Sequence, residues 1–376
     1  MSKKIFLDYQ STTPVSDKVL KKMLPYFTEK FANPHSNNHS LGRETSEVVE
    51  KTREQVAKLI NAEPNEIVFT SGATESNNLA IKSIAQNYFT SDFQVVTCKT
   101  EHKCVLESCY YLEQQNIKVH YLEVNQAGLI NLEDLEKLLK VKPSLVSIMH
   151  ANNEIGVLQP LKEIGELCKK HKAIFHSDIA QSLGTTSVDV QLFNLHAVSI
   201  SAHKIYGPKG IGALYLSKSI KNILKPMIDG GGQEMGIRSG TLSPALCVGL
   251  GEACADLKKN HIQYYEHFKK LKSVMLSELI QSKIDFEING DVSSRIPNNL
   301  NIRIKNKEAL ALFNQMPHIA MSTGSACTSG TITRSHVLTA LKLNDQQIDE
   351  SFRISFGRET NFDDLKELVS QLDEKN

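Results

Sequence analysis

Short apolar segments rich in β-branched residues alternate with helix-like segments through the middle of this chain. The strand-like segments are residues 66–70, 94–98, 118–122, 144–149, 173–177, 197–200 and 211–216, and helical patterns such as 131–139 and 161–171 separate most of them. Parallel strands need a long crossover between them, which is usually a helix. The alternation therefore predicts an α/β fold with a mostly parallel, doubly wound sheet that carries helices on both faces.

The remainder of the chain predicts a smaller second unit. Residues 17–27 and 40–60 have helical patterns, and we expect the second of these helices to pack on a flat surface. Residues 244–280 predict one long helix; strands at 286–288 and 299–304 and helices at 307–316, 335–341 and 361–372 then predict an α+β unit. A length of 376 residues favours two domains. We expect a large domain over 16–255 and a small domain formed by 1–15 and 256–376.

Charge and cysteine content exclude several classes of function. The chain has 43 Lys and Arg against 42 Asp and Glu, without a long run of one sign, which gives no electrostatic reason to expect a nucleic-acid or membrane partner. No apolar segment reaches the roughly 18 residues of a transmembrane helix. The seven cysteines form no C-x-x-C pair and no zinc-ligand spacing. We therefore expect a cytoplasmic protein of small-molecule chemistry, without disulfides or a metal site.

Polar side chains follow four of the predicted strands. They are Glu101 and His102; His150, Asn152, Asn153 and Glu154; Asp178 and Gln181; and Ser201, His203 and Lys204. Ligands of doubly wound sheets bind at the carboxyl ends of the strands, so we expect these groups to converge on one site. Each group alone could be a helix cap or a locally bonded side chain. Asp178, however, ends an apolar run, where a carboxylate needs a cationic or protonated partner.

Lys204 is the candidate for covalent chemistry. It follows the short strand 198–200 and precedes a turn rich in glycine and proline. A partly desolvated lysine has a lowered pKa, and its neutral amine can form a Schiff base with a carbonyl cofactor. The alternative, from the sequence around Lys204 alone, is an exposed loop lysine without a function.

A helix that opens near Thr74 is a candidate phosphate site. Ser71 and Gly72 form the turn between the strand 66–70 and this helix, so its first backbone N–H groups could bind an anion. Thr74 or Ser71 could equally serve as an ordinary N-cap. The glycine-rich loop 229–242, with Arg238 and Thr241, also fits either anion binding or a flexible surface loop.

Two further candidates lie in the second unit. Cys327 lies in the segment M-S-T-G-S-A-C-T-S-G-T, whose small polar residues keep a thiol accessible, although an exposed thiol without a function remains the alternative. Arg353 lies in R-I-S-F-G-R, where its guanidinium could bind a carboxylate.

Together these segments resemble the cysteine desulfurases, pyridoxal-phosphate enzymes of the class V aminotransferase group. The matching motifs are L-D-Y-Q-S-T-T-P, T-S-G-A-T-E-S-N-N, T-E-H-K, N-N-E-I-G-V, H-S-D-I-A-Q-S, S-A-H-K-I-Y-G-P-K-G-I-G, R-S-G-T, G-S-A-C-T-S and R-I-S-F-G-R. They run in family order from residue 7 to residue 358. The resemblance implies fold type I of the pyridoxal-phosphate-dependent transferases. The G-S-A-C-T-S form resembles the branch with a long mobile cysteine loop, which is linked to iron–sulfur cluster assembly and tRNA thiolation.

The resemblance also implies a role for each matching residue. Lys204 would hold pyridoxal 5'-phosphate covalently and move the proton at the substrate Cα, His102 would stack on the ring and act in acid–base chemistry, and Cys327 would accept sulfur as a persulfide. The implied cofactor contacts are Asp178 at the ring nitrogen, Gln181 at the ring hydroxyl, Asn153, and Ala73, Thr74, Ser201 and His203 at the phosphate, with Thr241 from the second subunit of a homodimer. Asn153 and Arg353 would hold the carboxylate of L-cysteine.

Some segments depart from the family pattern and leave other functions open. Met235 stands where relatives usually have arginine, and residues 331–334 replace an acidic and a proline residue that are common there. These departures lie away from the implied catalytic groups and concern the docking of partners. The resemblance therefore supports the chemistry more strongly than it supports binding of a sulfur-acceptor protein, such as an iron–sulfur scaffold or a tRNA-thiolation relay. The alternatives are a selenocysteine lyase or a cysteine sulfinate-type lyase on the same fold, and a catalytically silent partner that binds a sulfur-carrier protein.

Overall fold

The computed structural model describes residues 4–88, 92–324, 327–328, 331–332 and 334–374, with only the backbone described for 327–328 and 331–332. The elements of the first two thirds of the chain are β1 (Ile5–Phe6), α1 (Asp17–Met23), α2 (Pro25–Thr28), α3 (Ser40–Leu59), β2 (Ile67–Thr70), α4 (Ala73–Asn87), β3 (Gln94–Cys98), α5 (Lys103–Gln114), β4 (Lys118–Leu122), α6 (Leu132–Leu139), β5 (Ser144–Ser147), α7 (Leu161–Lys170), β6 (Ile174–Asp178), β7 (Ala197–Ser201) and β8 (Gly212–Leu216).

The last third contains one long helix and a set of shorter elements. They are α8 (Pro244–Gln281), β9 (Phe286–Ile288), β10 (Asn299–Ile304), α9 (Ala309–Gln315), β11 (Ile319–Ala320), β12 (Cys327–Thr328), β13 (Thr331–Ile332), α10 (His336–Ala340), α11 (Asp345–Asp349), β14 (Ser351–Ser355) and α12 (Phe362–Glu374). Each predicted strand and helix is present, and most bounds agree within two residues. The predicted helix 17–27 is divided into α1 and α2 at Leu24, directly before Pro25.

The seven-stranded sheet confirms the predicted architecture. Its order is β2-β8-β7-β6-β5-β3-β4, and every pair from β7 to β4 is parallel, whereas β8 is antiparallel to both of its neighbours. Successive residues of one strand enter different apolar clusters: Val95 packs in the cluster with α4 and α5, and Val96 in the cluster with α3, α6 and α7. Both faces are therefore covered, which explains why the strands read as continuous apolar runs.

Helix α3 packs along helix α8, and Val49 and Val56 of α3 also belong to the apolar cluster of the large sheet, the flat surface that we expected. Its buried positions include Val49, Thr52 and Val56, which recur at helical spacing. A Cβ at Gly251 of α8 would lie 2.9 Å from Thr52 Oγ1, so the two helices approach closely because Gly251 has no side chain. The spacing of apolar residues predicts that one face of α3 is buried, and the structure adds that α8 and the large sheet cover it.

A separate apolar cluster forms around the second sheet. This sheet has the order β14-β10-β9, is antiparallel, and packs with the C-terminal part of α8, with α9 and with α12. Ile5 and Leu7 belong to this cluster, in which β1 pairs with β11. Val337 and Leu338 of α10 pack instead in the cluster of the large sheet. The division into 16–255 and the remainder stays a prediction. Among the described residues no helix has both the length and the apolar character needed to cross a membrane.

Candidate active site

A cavity of about 640 Å³ opens at the carboxyl ends of β6 and β7. A volume of this size is in the usual range for a small-molecule site, roughly 300–1,000 Å³. Ten of the predicted site residues line it: Ala73, Thr74, His102, Asn153, Asp178, Gln181, Ser201, His203, Lys204 and Arg353. The convergence of strand-end residues is thus confirmed for this set.

Lys204 lies in a short helical turn, Ala202–Lys204, which begins directly after β7. Its Nζ donates hydrogen bonds to the backbone carbonyl oxygens of Gln10 and Ser11. Burial, with a smaller contribution from the nearby Arg353 guanidinium, lowers the pKa of Lys204 to about 8, against the opposing effect of Asp178 and Asp8. A substantial fraction of this amine is therefore neutral near physiological pH, as a nucleophilic or proton-accepting lysine requires.

Asp178 is the last residue of β6, and both of its carboxylate oxygens are hydrogen-bonded. Oδ1 accepts from the Ala180 backbone N–H at 2.9 Å, and Oδ2 accepts from Asn77 Nδ2 at 2.7 Å. The carboxylate is buried but lines the cavity. It can therefore interact with a cationic or protonated ligand atom in the cavity.

His102 caps the N-terminus of α5 with its ring. Nδ1 accepts the Cys104 backbone N–H at 3.2 Å, which leaves the ring proton of a neutral imidazole on Nε2. Burial is the main reason that the pKa of His102 is lowered, and Lys204 and Lys103 act in the same direction. A neutral imidazole at the cavity can stack on a planar ligand and can also exchange a proton.

The N-terminus of α4 presents unsatisfied backbone N–H groups. Gly72 is its N-cap, with a φ of 153° that favours glycine, and no side chain caps this helix end. The alternative of an ordinary N-cap by Ser71 or Thr74 is therefore wrong. Ser201 and His203 lie beside this helix end in the cavity lining, and α4 is long enough to carry a helix dipole. The arrangement is suited to a phosphate group.

Arg353 enters the cavity from the small sheet, on β14. It donates from Nη1 to the Asn153 carbonyl oxygen at 2.6 Å and forms an ion pair with Asp8 through Nη2. Its Nε has no hydrogen-bond partner in the described part of the chain. Arg353 lines the cavity, and each of its held Nη atoms carries a second N–H, so the guanidinium can bind a ligand carboxylate.

A family model for "Aminotransferase class-V" matches residues 5–368, which is nearly the whole chain. This chain belongs to the aminotransferase class-V family. A relative from Neisseria meningitidis serogroup C, described as "Cysteine desulfurase IscS", is 47% identical over 362 residues, with 96% of this chain and 89% of the relative covered.

Solved structures of similar proteins show the same fold. A structure described as "NIFS-LIKE PROTEIN" superposes with a TM-score of 0.92 at 33% identity and covers 99% of both chains. A second structure, "SspA in complex with cysteine", has a TM-score of 0.83 at 36% identity and covers 94% of this chain and 98% of its own. Within the class-V family, this chain groups with the cysteine desulfurases.

Several predicted strand-end residues do not reach the cavity, so the expectation that all would converge was wrong for them. Glu101, His150, Asn152 and Glu154 are buried but do not line it. Asn152 Oδ1 accepts the backbone N–H groups of Glu154 and Ile155, and it therefore shapes the loop. A loop turns successive side chains in different directions, and the strand pattern cannot predict which of them face the ligand.

Two further predictions have a different outcome. Thr241 is exposed and does not line the cavity of this single chain, so its proposed role depends on a second copy. The Cys327 side chain lies outside the described residues, where the structure gives only the pairing of β12 with β13.

Several residues that line the cavity were given no role by the sequence analysis. Gln10, Ser11 and Thr12 line the cavity, and two of them supply the carbonyl oxygens that bind Lys204. They lie in the motif L-D-Y-Q-S-T-T-P, which was matched to the family without a role. The match of this motif was the only available signal, because nothing in its composition indicates a contact with a residue 194 positions away.

Proposed function

We propose that this class-V aminotransferase family member acts as a cysteine desulfurase that uses pyridoxal 5'-phosphate, converts L-cysteine to L-alanine and carries the sulfur as a persulfide on Cys327. The observation that carries the proposal is one cavity that brings together the Lys204 amine, the Asp178 carboxylate and the open N-terminus of α4. These three groups match an aldehyde, a pyridine nitrogen and a phosphate in chemistry.

The groups that line the cavity match the parts of pyridoxal 5'-phosphate in their chemistry. The N–H groups of Ala73 and Thr74 at the start of α4, with Ser201 and His203, would hold the phosphate. Asp178 would pair with the ring nitrogen, Gln181 with the ring hydroxyl, and His102 would stack on the ring. Asn153 would contribute both to the cofactor and to the substrate carboxylate. When bound, pyridoxal 5'-phosphate supplies an electrophilic carbonyl and a ring that stabilises negative charge at the substrate Cα.

The chain's own residues would bind the substrate and move its protons. Arg353 and Asn153 would hold the carboxylate of L-cysteine, which fixes the orientation of the Cα–H bond. The neutral Lys204 amine would accept the Cα proton, because its pKa of about 8 is close to the working pH. His102, neutral and with a proton on Nε2, would exchange a proton with the substrate thiol or with the product.

Cys327 would complete the reaction as the sulfur acceptor. Its thiolate attacks the sulfur of L-cysteine, and the S–S bond forms as the Cβ–S bond breaks. The electron pair of the Cβ–S bond stays with the three-carbon fragment, which takes up a proton at Cβ and leaves as L-alanine. One enzyme thiol and one L-cysteine thus give one persulfide and one L-alanine, and no external oxidant is needed.

The other six cysteines support this choice of acceptor. Cys98, Cys104, Cys109, Cys168, Cys247 and Cys254 are all buried free thiols. Burial is the main cause that raises the thiol pKa of each; for Cys104, Cys247 and Cys254 it reaches about 12. A thiol with so high a pKa is seldom a thiolate, so none of the six is a good sulfur nucleophile.

The test measures alanine and sulfide formed from L-cysteine with a thiol reductant, on protein whose visible spectrum shows the bound cofactor. Cys327→Ala is expected to lower alanine formation by about 100-fold or more while the spectrum stays, because the nucleophile is lost and the cofactor site is not. Cys168→Ala is the matched control, since this buried thiol does not line the active cavity.

The outcomes separate the proposal from its alternatives. Mass spectrometry without reductant should find one added sulfur on the peptide that contains Cys327, in wild type and in Cys168→Ala. If Cys327→Ala forms alanine at the wild-type rate, Cys327 is not the sulfur acceptor. This result would favour a selenocysteine lyase or a cysteine sulfinate-type lyase. Failure of the wild type to bind the cofactor would favour a catalytically silent partner.

The assembly and the acceptor are also part of the proposal. A homodimer would let Thr241 of one copy complete the phosphate site of the other, which accounts for its exposure in the single chain. A mixture of Lys204→Ala and Thr241→Ala copies should then form some dimers in which one site contains both wild-type residues. The persulfide would pass to an acceptor protein, such as an iron–sulfur scaffold or a tRNA-thiolation relay.

A further inference from the structure

The amide of Asn77 is buried beneath the active cavity, next to Asp178. Asn77 lies on α4, one turn after the open helix N-terminus, and its side chain does not line the cavity. Its Nδ2 donates to Asp178 Oδ2 at 2.7 Å and to Cys104 Sγ at 3.1 Å. Both N–H groups of the amide are therefore in use, and one of them is bound to the carboxylate.

The other end of the same amide has no partner. Asn77 is fully buried, and its Oδ1 has no hydrogen bond in the described part of the chain. A buried acceptor without a partner is unfavourable, because nothing replaces the hydrogen bond that it makes with water in the unfolded chain. The reverse orientation of the amide would place Oδ1 against the Asp178 carboxylate, where two acceptors repel each other. In the observed orientation Nδ2 donates to the carboxylate, and Oδ1 is left without a hydrogen bond.

Asp178 has few other donors. The Ala180 backbone N–H bonds to Oδ1, and Asn77 is the side-chain donor to Oδ2 within the described residues. Hydrogen bonds to a carboxylate favour its charged form, and two donors on different oxygens also fix the plane of the group. A carboxylate held in one plane could pair with a protonated ring nitrogen of a ligand in the cavity.

We propose that Asn77 is a positioning residue that holds the Asp178 carboxylate in the orientation that pairs with the cofactor ring nitrogen. This inference rests on the proposed function, because it takes pyridoxal 5'-phosphate as the ligand. The second N–H of Asn77, bound to Cys104 Sγ, prevents the amide from rotating away from Asp178. Asn77 acts through Asp178 and does not itself contact the ligand.

The experiment compares two ligands that differ at the ring nitrogen. Cofactor-free wild type, Asn77→Ala and Asn77→Leu are titrated with pyridoxal 5'-phosphate and with its 1-deaza analogue, in which a C–H group replaces the nitrogen. Leucine has nearly the shape of asparagine and keeps the packing if alanine does not fold. Asn78→Ala is the matched control, because Asn78 is the next residue of α4, is partly exposed, and donates within its own helix to the Thr74 carbonyl oxygen.

We expect the Asn77 variants to bind pyridoxal 5'-phosphate about 10- to 100-fold more weakly, the range for losing a hydrogen bond to a charged group. Their affinity for the deaza analogue should change by less than about 3-fold, because a C–H group gains nothing from the carboxylate. The visible band of the bound cofactor should also shift in these variants. Asn78→Ala should match the wild type with both ligands.

Equal weakening of both ligands in Asn77→Ala and Asn77→Leu would show a merely structural role and would overturn the inference. If the ratio of the two dissociation constants in the Asn77 variants stays at its wild-type value, the inference is overturned as well, while the proposed function stands. Absence of cofactor binding in the wild type would instead overturn the proposed function, and this inference with it.

Discussion

The lowered pKa of Lys204 makes the pH dependence of cofactor loading a sensitive test of the site. Burial is the main cause of the shift, and the neighbouring Arg353 guanidinium adds to it. Only the neutral amine attacks a carbonyl, so the rate at which cofactor-free protein takes up pyridoxal 5'-phosphate should follow the neutral fraction of Lys204. The experiment therefore measures this rate at pH values between 6 and 10.

The expected magnitude follows from the two pKa values. With a pKa of about 8, roughly a tenth of the amine is neutral at pH 7, whereas with the ordinary 10.5 the fraction is about 0.0003. Between pH 7 and 9 the neutral fraction should rise only about tenfold and then level off. An ordinary lysine would show a rise of about 100-fold over the same interval and no plateau.

The assay follows cofactor absorbance after rapid mixing, with the reaction of a free lysine derivative measured in parallel to correct for titration of the cofactor itself. Replacing Arg353 by glutamine should move the midpoint to higher pH and slow loading at pH 7, because a cation that disfavours the charged amine is removed. Arg334→Gln is the matched control, since this exposed arginine pairs with Asp349 and does not line the cavity.

A loading rate that still rises about tenfold between pH 8 and pH 9 would refute the reasoning, because Lys204 would then titrate like a lysine in water. A midpoint near 8 that does not move in Arg353→Gln would keep burial as a cause and would exclude Arg353 as a contributor.

Three further predictions concern charged groups around the site. Glu234→Gln leaves the buried Arg53 without its bidentate partner and should lower the free energy of unfolding in urea by about 3–5 kcal/mol. Replacing both Arg53 and Glu234 by apolar residues should cost less, because no unpaired buried charge remains. Asp8→Asn frees Arg353 from its ion pair and should raise KM for L-cysteine about tenfold with little change in kcat; a fall in kcat alone would contradict this. Burial raises the pKa of Glu154 to about 7, so the folded state binds its proton more tightly than the unfolded state, and stability is lost as pH rises from about 4.5 to 7. Glu154→Gln should therefore gain about 3 kcal/mol relative to wild type between pH 5 and 8, and a constant difference would contradict the assignment.

The sequence was sufficient to predict the fold and much of the candidate site. Strand and helix periodicity is set by near neighbours in the chain, so the alternation over residues 66–216 predicted the order of elements correctly. The carboxyl ends of parallel strands meet at one edge of a sheet, and for this reason Asp178, Ser201 and Lys204 could be grouped before their positions were known.

The contacts that orient these groups could not be predicted in the same way. Asn77 and Asp178 lie 101 positions apart, and nothing in the helical pattern of α4 indicates that its buried amide donates to a strand end. Glu101 and Asp178 both look like strand-end acids in the sequence, yet only Asp178 lines the cavity. The difference depends on the direction in which each side chain leaves its loop or strand.

What the sequence determined by itself is the set of elements and the chemistry that the strand ends can offer, because both follow from local composition. What only the tertiary structure decided is the state of each group: the desolvated Lys204 amine, the doubly hydrogen-bonded Asp178 and the held Arg353. Burial and hydrogen bonding are properties of the packed chain, since they depend on residues that are distant in sequence and meet only when the two sheets and residues 10–12 close around the cavity.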